Sequence, residues 1–166
     1  MWYNDEVQNR QKIIISKGLI IMNKTDILET VSFERMIKQK NELEGFGKEV
    51  GVKIVDISEG YAKCEIEIDE RHLNPGKSVH GGCIYTLADI VGGVAAWSRG
   101  NYIVTTSGSI NYLNPAIGCN KLIGIAREIK YGKTLCVYDI EILDENNRMI
   151  ARVTNEYYNM GSKIKL

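Results

Sequence analysis

The sequence predicts an α+β domain in which an antiparallel sheet of about six strands surrounds one long buried helix. Residues from about 82 to 98 are almost wholly apolar or small, and protein must cover such a helix on most sides. On both sides of this stretch, apolar and polar residues alternate, which is the pattern of half-buried strands. The later strands are joined by short turn sequences, which favour antiparallel pairing.

The composition is that of one globular domain. The chain has 166 residues, of which 44% are hydrophobic and 25% charged, and this length allows one domain with a modest appendage. Lys+Arg and Asp+Glu both number 21, so the formal net charge is zero. Neither nucleic acid nor an anionic membrane is therefore an expected partner.

The cysteines and the N-terminal residues favour a cytoplasmic location. Cysteines are spread widely without a C-x-x-C pair, so we expect reduced thiols at Cys64, Cys83, Cys119 and Cys136. No run approaches the ~18 apolar residues of a membrane span. The apolar stretches near the N-terminus are interrupted by Ser16-Lys17-Gly18, which makes a poor secretory signal.

Residues 1–45 are predicted to form a tail followed by an amphipathic helix. Asp26 and Glu29 have the spacing of a capping box, and apolar residues follow at helical intervals until Gly45. The tail has no clear amphipathic period and ends at a second methionine, Met22, where we expect translation to begin. No function is assigned to it.

Residues 46–166 form the predicted main domain. The first two strands make a hairpin, at about 52–57 and 62–68, around the turn Glu59-Gly60. The helix follows, and then four strands at about 102–111, 121–130, 134–143 and 149–158. Turn sequences separate these four strands, so we expect a meander in which each strand lies beside the next.

The helix contains one acidic residue, Asp89, within its apolar sequence. A lone carboxylate in apolar surroundings costs several kcal/mol unless it is paired, hydrogen-bonded or protonated. Asp89 lies at a solvated edge, accepts hydrogen bonds from a neighbouring loop, or takes part in chemistry. The glycines in front of the helix, Gly81 and Gly82, favour chemistry, because free N–H groups at a helix N-terminus suit a carbonyl oxygen that develops negative charge.

Two further polar residues lie in the loop before the helix. Asn74 and His80 can hold a water molecule or orient an acyl group. Asp89 lies seven residues beyond Gly82, which is ~10 Å along a helix axis, whereas catalytic groups must lie within ~3 Å of the reacting atoms. We therefore expect the Gly81 donor and Asp89 of one site to come from different subunits of a two-fold dimer.

These residues also resemble a known family. The pattern N-P-x-x-x-x-H-G-G-x-x-x-T-L-A-D-x-x-x-G is the signature of PaaI-like hotdog-fold acyl-CoA thioesterases, in the 4-hydroxybenzoyl-CoA thioesterase superfamily. Here it runs from Asn74-Pro75 through His80-Gly81-Gly82 and Thr86-Leu87-Ala88-Asp89 to Gly93. The intervals from Asn to His and from His to Asp both match, and the resemblance covers residues from about 46 to 158.

The resemblance implies a fold, an activity and an assembly. The fold is a long central helix wrapped by a curved antiparallel sheet, and the activity is hydrolysis of acyl-CoA thioesters without a cofactor. The assembly is a homodimer, often paired into a dimer of dimers. Asp89 is implied as the nucleophile or as the general base that activates water, and the Gly81 N–H as the group that polarises the thioester carbonyl.

Supporting roles are implied for several other residues. Asn74 would position water or the carbonyl, and His80 would support the loop. A Ser or Thr on the next strand assists the carboxylate in relatives; Thr105 is the best match here, with Ser107 as the competitor. The predicted substrate-binding residues are Gly82, Thr86, Ser107 and Lys133.

Other interpretations are weaker. The basic residues Lys121, Arg127, Lys130 and Lys133 are candidates for contact with the phosphates of coenzyme A, although most exposed Lys and Arg are ordinary surface residues. No paired histidines support a metal site, and we expect His72 to be a structural loop residue. Cys83 has no basic partner that would make it a nucleophile. The alternative function is non-catalytic binding or sensing of acyl-CoA.

Overall fold

The fold follows from a computed structural model, which describes residues 10–15 and 18–164, with side chains from residue 32 onward. At the N-terminal end, strands β1 (Arg10–Ile15) and β2 (Gly18–Asn23) pair antiparallel, and helices α1 (Lys24–Glu42) and α2 (Phe46–Val50) follow. No helix within the described ranges is both long and apolar enough to cross a membrane.

The remaining elements form a sheet and the helix that packs against it. They are β3 (Lys53–Ser58), β4 (Tyr61–Glu67), α3 (Gly81–Trp97), β5 (Asn101–Tyr112), β6 (Lys121–Tyr131), β7 (Leu135–Asp144) and β8 (Met149–Lys163). The six strands β3 to β8 make one antiparallel sheet in the order β3-β4-β6-β7-β8-β5, and α3 packs against it. This confirms the predicted α+β class with six strands and one buried helix.

The N-terminal hairpin was not predicted. Its strands carry the continuous apolar runs Ile13-Ile14-Ile15 and Leu19-Ile20-Ile21, and Ile13 pairs with Ile20 and Ile14 with Leu19. A short apolar run without alternation does not identify a strand by period. Helix α1 begins at Lys24, two residues before the predicted cap at Asp26, because β2 continues to Asn23. Residues 1–9, 16 and 17 of the predicted tail lie outside the described residues, and the domain boundary at residue 45 stays a prediction.

The predicted meander is correct for three strands and wrong for the fourth. Strands β6, β7 and β8 are neighbours in sequence order, but β5 pairs with β8 at the edge of the sheet instead of with β6. The connection between β5 and β6, residues 113–120, is longer than a hairpin turn and carries the chain across to β4. An edge position for β5 matters because this strand contacts the candidate site.

The core lies between α3 and the sheet. The predicted apolar face of the helix is buried, as expected, and comprises Ile84, Leu87, Ala88, Val91 and Ala95. The opposite face is not uniformly open. Gly82 is exposed and Asp89 half-buried, whereas Gly92 and Gly93 near the C-terminal end are buried.

Candidate active site

The candidate site lies where α3 runs along the edge strand β5. Four helix positions, spaced four residues apart, face four positions of β5. The helix and the strand run in opposite directions, so later helix positions face earlier strand positions. The facing pairs are Gly81 with Tyr112, Tyr85 with Gly108, Asp89 with Thr105 and Gly93 with Ile103. We call this line of contacts the α3–β5 seam.

The carboxylate of Asp89 is held within the seam. The hydroxyl of Thr105 donates a hydrogen bond to Asp89 Oδ1 at 2.9 Å, which orients the half-buried carboxylate. Behind it, the hydroxyl of Tyr157 lies 3.4 Å from the backbone oxygen of Asp89. Burial raises the pKa of the nearby Tyr85 phenol, and the negative charge of Asp89 raises it further.

A bulge in β5 decides which hydroxyl meets the carboxylate. Thr105 is paired with Tyr157 of β8 and Ser107 with Glu156, so Thr106 is an extra residue on β5. Thr105 and Gly108 both face α3 across this bulge, although an uninterrupted strand would put them on opposite faces. The structure therefore brings Thr105 to Asp89, whereas Ser107, the predicted competitor, lies exposed with no bond to the carboxylate.

The N-terminus of α3 presents one free amide. Helices leave their first four N–H groups without intrahelical acceptors of the usual kind. In α3 these four groups belong to residues 80–83: His80 N–H donates to His72 O, Gly82 N–H donates to His80 Nδ1 at 2.9 Å, and Cys83 N–H donates to His80 O. Among the described residues, only Gly81 N–H of these four has no acceptor, so it is available to a bound carbonyl.

The loop before the helix is held by its own hydrogen bonds. Asn74 Oδ1 accepts from Ser78 N–H at 3.2 Å, and Asn74 N–H donates to Ser78 O at 2.8 Å. His80 N–H donates to His72 O at 2.8 Å. The side-chain oxygen of Asn74 thus shapes the loop in this chain, and His80 caps the helix.

A cavity of about 380 Å³ opens beside this loop. Its walls include Val79, Gly81, Gly82, Ile84 and residues 112–116 of the chain after β5. Thr86, a predicted substrate-binding residue, lies one turn further along the helix, where its hydroxyl donates to Gly82 O at 2.8 Å. The free amide therefore borders a space large enough for part of a ligand.

One chain does not bring the two halves of the site together. Gly81 and Asp89 are eight residues apart on the same straight element, about 12 Å along the axis. His80 and Gly82 lie beside Gly81, Asn74 contacts Ser78 within the preceding loop, and Thr105 lies with Asp89.

Comparison with known proteins places this arrangement in a family. Residues 76–151 match the model of the family described as Thioesterase superfamily. A putative esterase of Archaeoglobus fulgidus is 32% identical over 109 residues, 66% of this chain and 71% of the relative. The chain belongs to the thioesterase superfamily. This assignment confirms the predicted enzyme class, a thioester hydrolase of the PaaI-like type.

Other relatives of this thioesterase confirm the hotdog fold. The acyl-coenzyme A thioesterase PaaI of Escherichia coli is 29% identical over 123 residues, 74% of this chain and 88% of that protein. The solved structure of E. coli PaaI matches with a TM-score of 0.74 and 25% identity over 83% of this chain and 98% of that one. A Streptococcus mutans protein solved bound to acetyl CoA matches with a TM-score of 0.67 and 27% identity, over 74% and 97% of the two chains.

The basic residues of the thioesterase divide into paired and unpaired groups. Lys121 Nζ lies 3.0 Å from Glu65 and Glu67 oxygens, and Arg127 lies 3.0 Å from Glu141, so both are engaged on the sheet. Lys133 is exposed in the turn between β6 and β7, at the Ile103 end of the seam. Within one chain it is therefore nearer to the Asp89 half of the site than to Gly81, and its contact with substrate stays a prediction.

The structure also bears on the predictions for His72 and Cys83. His72 is buried and structural, as predicted: its Nδ1 accepts from Asp69 N–H at 3.0 Å, so Nε2 carries the proton and donates to Val50 O at 2.9 Å. Burial raises the pKa of the Cys83 thiol to about 11, so the thiol stays protonated at neutral pH and is a poor nucleophile.

Tyr112 is the residue that sequence reasoning missed. Its hydroxyl donates to Gly81 O at 3.0 Å and its ring lies against the same glycine. No short-range spacing links a residue near the end of β5 to the start of α3. The contact becomes visible only when the pairing of the helix with the strand is known.

Proposed function

We propose that this thioesterase hydrolyses acyl-CoA thioesters at a site formed by Asp89 of one protomer and the Gly81 amide of its partner. The observation that carries the proposal is the pairing of one free amide, at the start of α3, with one oriented carboxylate on the same helix. The E. coli relative named as an acyl-coenzyme A thioesterase and the S. mutans structure bound to acetyl CoA support this substrate class.

The chemistry needs few groups because the thiolate of coenzyme A is a good leaving group. Asp89 either attacks the carbonyl carbon, giving an acyl-enzyme anhydride that water then hydrolyses, or removes a proton from a water molecule that attacks directly. In both routes the C–S bond breaks, coenzyme A leaves as the thiol after protonation, and the acyl group leaves as the acid. The Gly81 N–H stabilises the negative charge on the carbonyl oxygen during attack.

The edge strand supports a two-subunit site. β5 has 12 residues and an outer edge without a strand neighbour in the described sheet, and long unpaired edges tend to pair with another chain. Pairing of β5 with the same strand of a second protomer places two seams side by side in opposite directions. Asp89 of one chain can then face Gly81 of the other, and such dimers can pair further into the tetramers that the family resemblance implies.

The first experiment measures release of free thiol from a panel of acyl-CoA esters. Asp89→Asn should lower kcat at least ~100-fold, because the amide can neither attack nor accept the proton from water. Asp56→Asn, an exposed carboxylate change on β3, is the matched control and should leave kcat unchanged. Tight binding of acyl-CoA by the wild type without any turnover would instead support the alternative, a non-catalytic acyl-CoA binding or sensing protein.

The second experiment tests the shared site with mixed dimers. A Gly81→Pro chain lacks the amide proton, and proline at the first helical position suits the backbone there. Neither this chain nor the Asp89→Asn chain should be active alone. Random mixing should restore about a quarter of wild-type activity, because half of the dimers are mixed and each mixed dimer has one intact site of two. Absence of any recovery would contradict a site built from two protomers.

A further inference from the structure

We propose that Tyr112 is a positioning residue that fixes the Gly81 amide for the reaction, an inference that rests on the proposed function. The peptide group between Gly81 and Gly82 is held by side chains at both polar ends. Tyr112 Oη donates to Gly81 O at 3.0 Å, and Gly82 N–H donates to His80 Nδ1 at 2.9 Å. This peptide follows Gly81, so holding it limits rotation about the Cα–C bond of Gly81. The Gly81 N–H belongs to the preceding peptide, whose carbonyl oxygen at His80 accepts from Cys83 and Ile84 N–H. Both peptide groups that flank Gly81 are therefore held, the second of them by Tyr112.

The ring of Tyr112 acts by contact as well. A Cβ atom at Gly81 would lie 3.1 Å from Tyr112 Oη and 3.2 Å from Cζ, which is tighter than about nine in ten real contacts of a Cβ atom. The ring therefore lies close to the space of a side chain at this position, and a Cβ atom here would push the exposed ring aside by a few tenths of an ångström. It also closes one flank of Gly81, so a carbonyl has to approach from the cavity that Tyr112 itself lines.

The place of Tyr112 in the fold joins the two halves of the site. Thr105 and Tyr112 lie on the same strand, and the first orients the Asp89 carboxylate while the second orients the Gly81 amide. About half of the Tyr112 side chain is solvent-exposed, at 53%. Loss of its hydroxyl therefore has little reason to change the stability of the chain, and its effect should appear in catalysis.

The test is the steady-state kinetics of Tyr112→Phe, which keeps the ring and removes only the hydroxyl. We expect kcat to fall about five- to tenfold, the effect of one lost hydrogen bond, with KM and melting temperature unchanged. Tyr102→Phe removes a hydroxyl from a tyrosine of the same strand that is 44% exposed, and it should change none of these values. Equal kcat for Tyr112→Phe and wild type, or a fall shared by Tyr102→Phe, would overturn the proposal.

Mixed dimers give a second, sharper comparison. In a dimer of Asp89→Asn and Gly81→Pro chains, the one intact site takes its amide from the Asp89→Asn chain. Tyr112→Phe added to that chain should lower the recovered activity five- to tenfold, whereas the same change in the Gly81→Pro chain should not. Both mixtures contain the same substitutions, so general destabilisation cannot separate them, and equal losses would overturn the positioning role.

The two proposals fail in different ways. A wild type that hydrolyses no acyl-CoA contradicts the proposed function and the inference with it. A wild type that loses activity with Asp89→Asn but not with Tyr112→Phe leaves the function standing and removes only the role of Tyr112.

Discussion

Gly92 and Gly93 are adjacent residues of α3, but only at Gly92 does packing within the chain exclude a side chain. A Cβ at Gly92 would overlap the hydroxyl of Tyr157 and lie 2.8 Å from Ile140 Cδ1. At Gly93 the nearest atom is Ile103 Cδ1 at 4.0 Å, an ordinary contact. Packing against the sheet therefore requires glycine at position 92, whereas no contact within the described chain requires glycine at position 93.

This difference predicts opposite effects of the same substitution. Gly92→Ala should lower the free energy of unfolding by about 1 to 3 kcal/mol through overpacking. Gly93→Ala should raise it by about 0.5 to 1 kcal/mol, because alanine favours a helix more than glycine does. Urea denaturation of both variants checks the prediction, which fails if the two changes shift stability in the same direction.

Cys83 provides a prediction about pH. Burial, with a further contribution from the charge of Asp69, raises the pKa of its thiol to about 11, although Arg71 opposes the shift. Only the thiolate reacts with iodoacetamide, so alkylation of Cys83 should become about tenfold faster per pH unit from 7 to 10. Peptide mass mapping measures the rate. A plateau near pH 8 would contradict the raised pKa, and Cys83→Ser should retain thioesterase activity.

The turn between β7 and β8 is organised around one buried carboxylate. Asp144 Oδ1 accepts from the N–H groups of Asn146 and Arg148 at 2.9 Å, and Arg148 Nε donates to Oδ2 at 3.0 Å. Burial alone would raise the pKa of Asp144, but these hydrogen bonds outweigh it and hold the pKa below its usual value.

A depressed pKa in the folded state fixes the sign of the pH dependence. The unfolded chain takes up the proton first as pH falls, so the stability that this carboxylate contributes is present at neutral pH and is lost in acid. Asp144→Asn should cost about 1 to 3 kcal/mol at pH 7, and the difference from wild type should shrink below about pH 4. Denaturation at several pH values tests this, with Asp56→Asn as the control.

The bounds of individual elements were more predictable from the sequence than the pairing of one element with another. The predicted helix at 82–98 differs from α3 by one residue at each end, because its boundaries depend on a local glycine loop and a local apolar run. The position of β5 beside β8 depends on contacts between residues far apart in sequence, and turn chemistry does not encode them. The hairpin of β1 and β2 was missed for the related reason that its apolar runs lack a period.

The candidate site shows the same division between residues found from local spacing and residues that depend on long-range contacts. The glycines before the helix and the lone carboxylate in its apolar sequence made Gly81 and Asp89 candidates, because both features can be read from residue types and spacing; their catalytic roles stay predictions. Thr105 was preferred as the best match to relatives, but Ser107 stayed a competitor, since the bulge at Thr106 is not evident from residue types. Tyr112 was invisible because its contact depends on the whole α3–β5 seam.

At the scale of the whole molecule, the two edges of the sheet should behave differently. Val104 on β5 and Val55 on β3 are similarly exposed, at 50% and 46%. Val104→Lys should weaken the dimer at least ~10-fold, because charges on an edge strand oppose strand addition. Val55→Lys should leave the dimer intact. Light scattering over a range of protein concentrations compares them, and equal behaviour would contradict assembly through β5.

The extra residue in β5 makes the activity sensitive to chain length at a single point. Successive side chains of a strand point to opposite faces. Deletion of Thr106 would therefore move every side chain on one side of the deletion to the opposite face of β5. With Gly108 and Tyr112 kept in place against the helix, the hydroxyl of Thr105 would turn outward and leave the Asp89 carboxylate unsupported. A shortened protein of this kind should keep its sheet, its circular dichroism spectrum and its affinity for coenzyme A, yet lose most of its turnover.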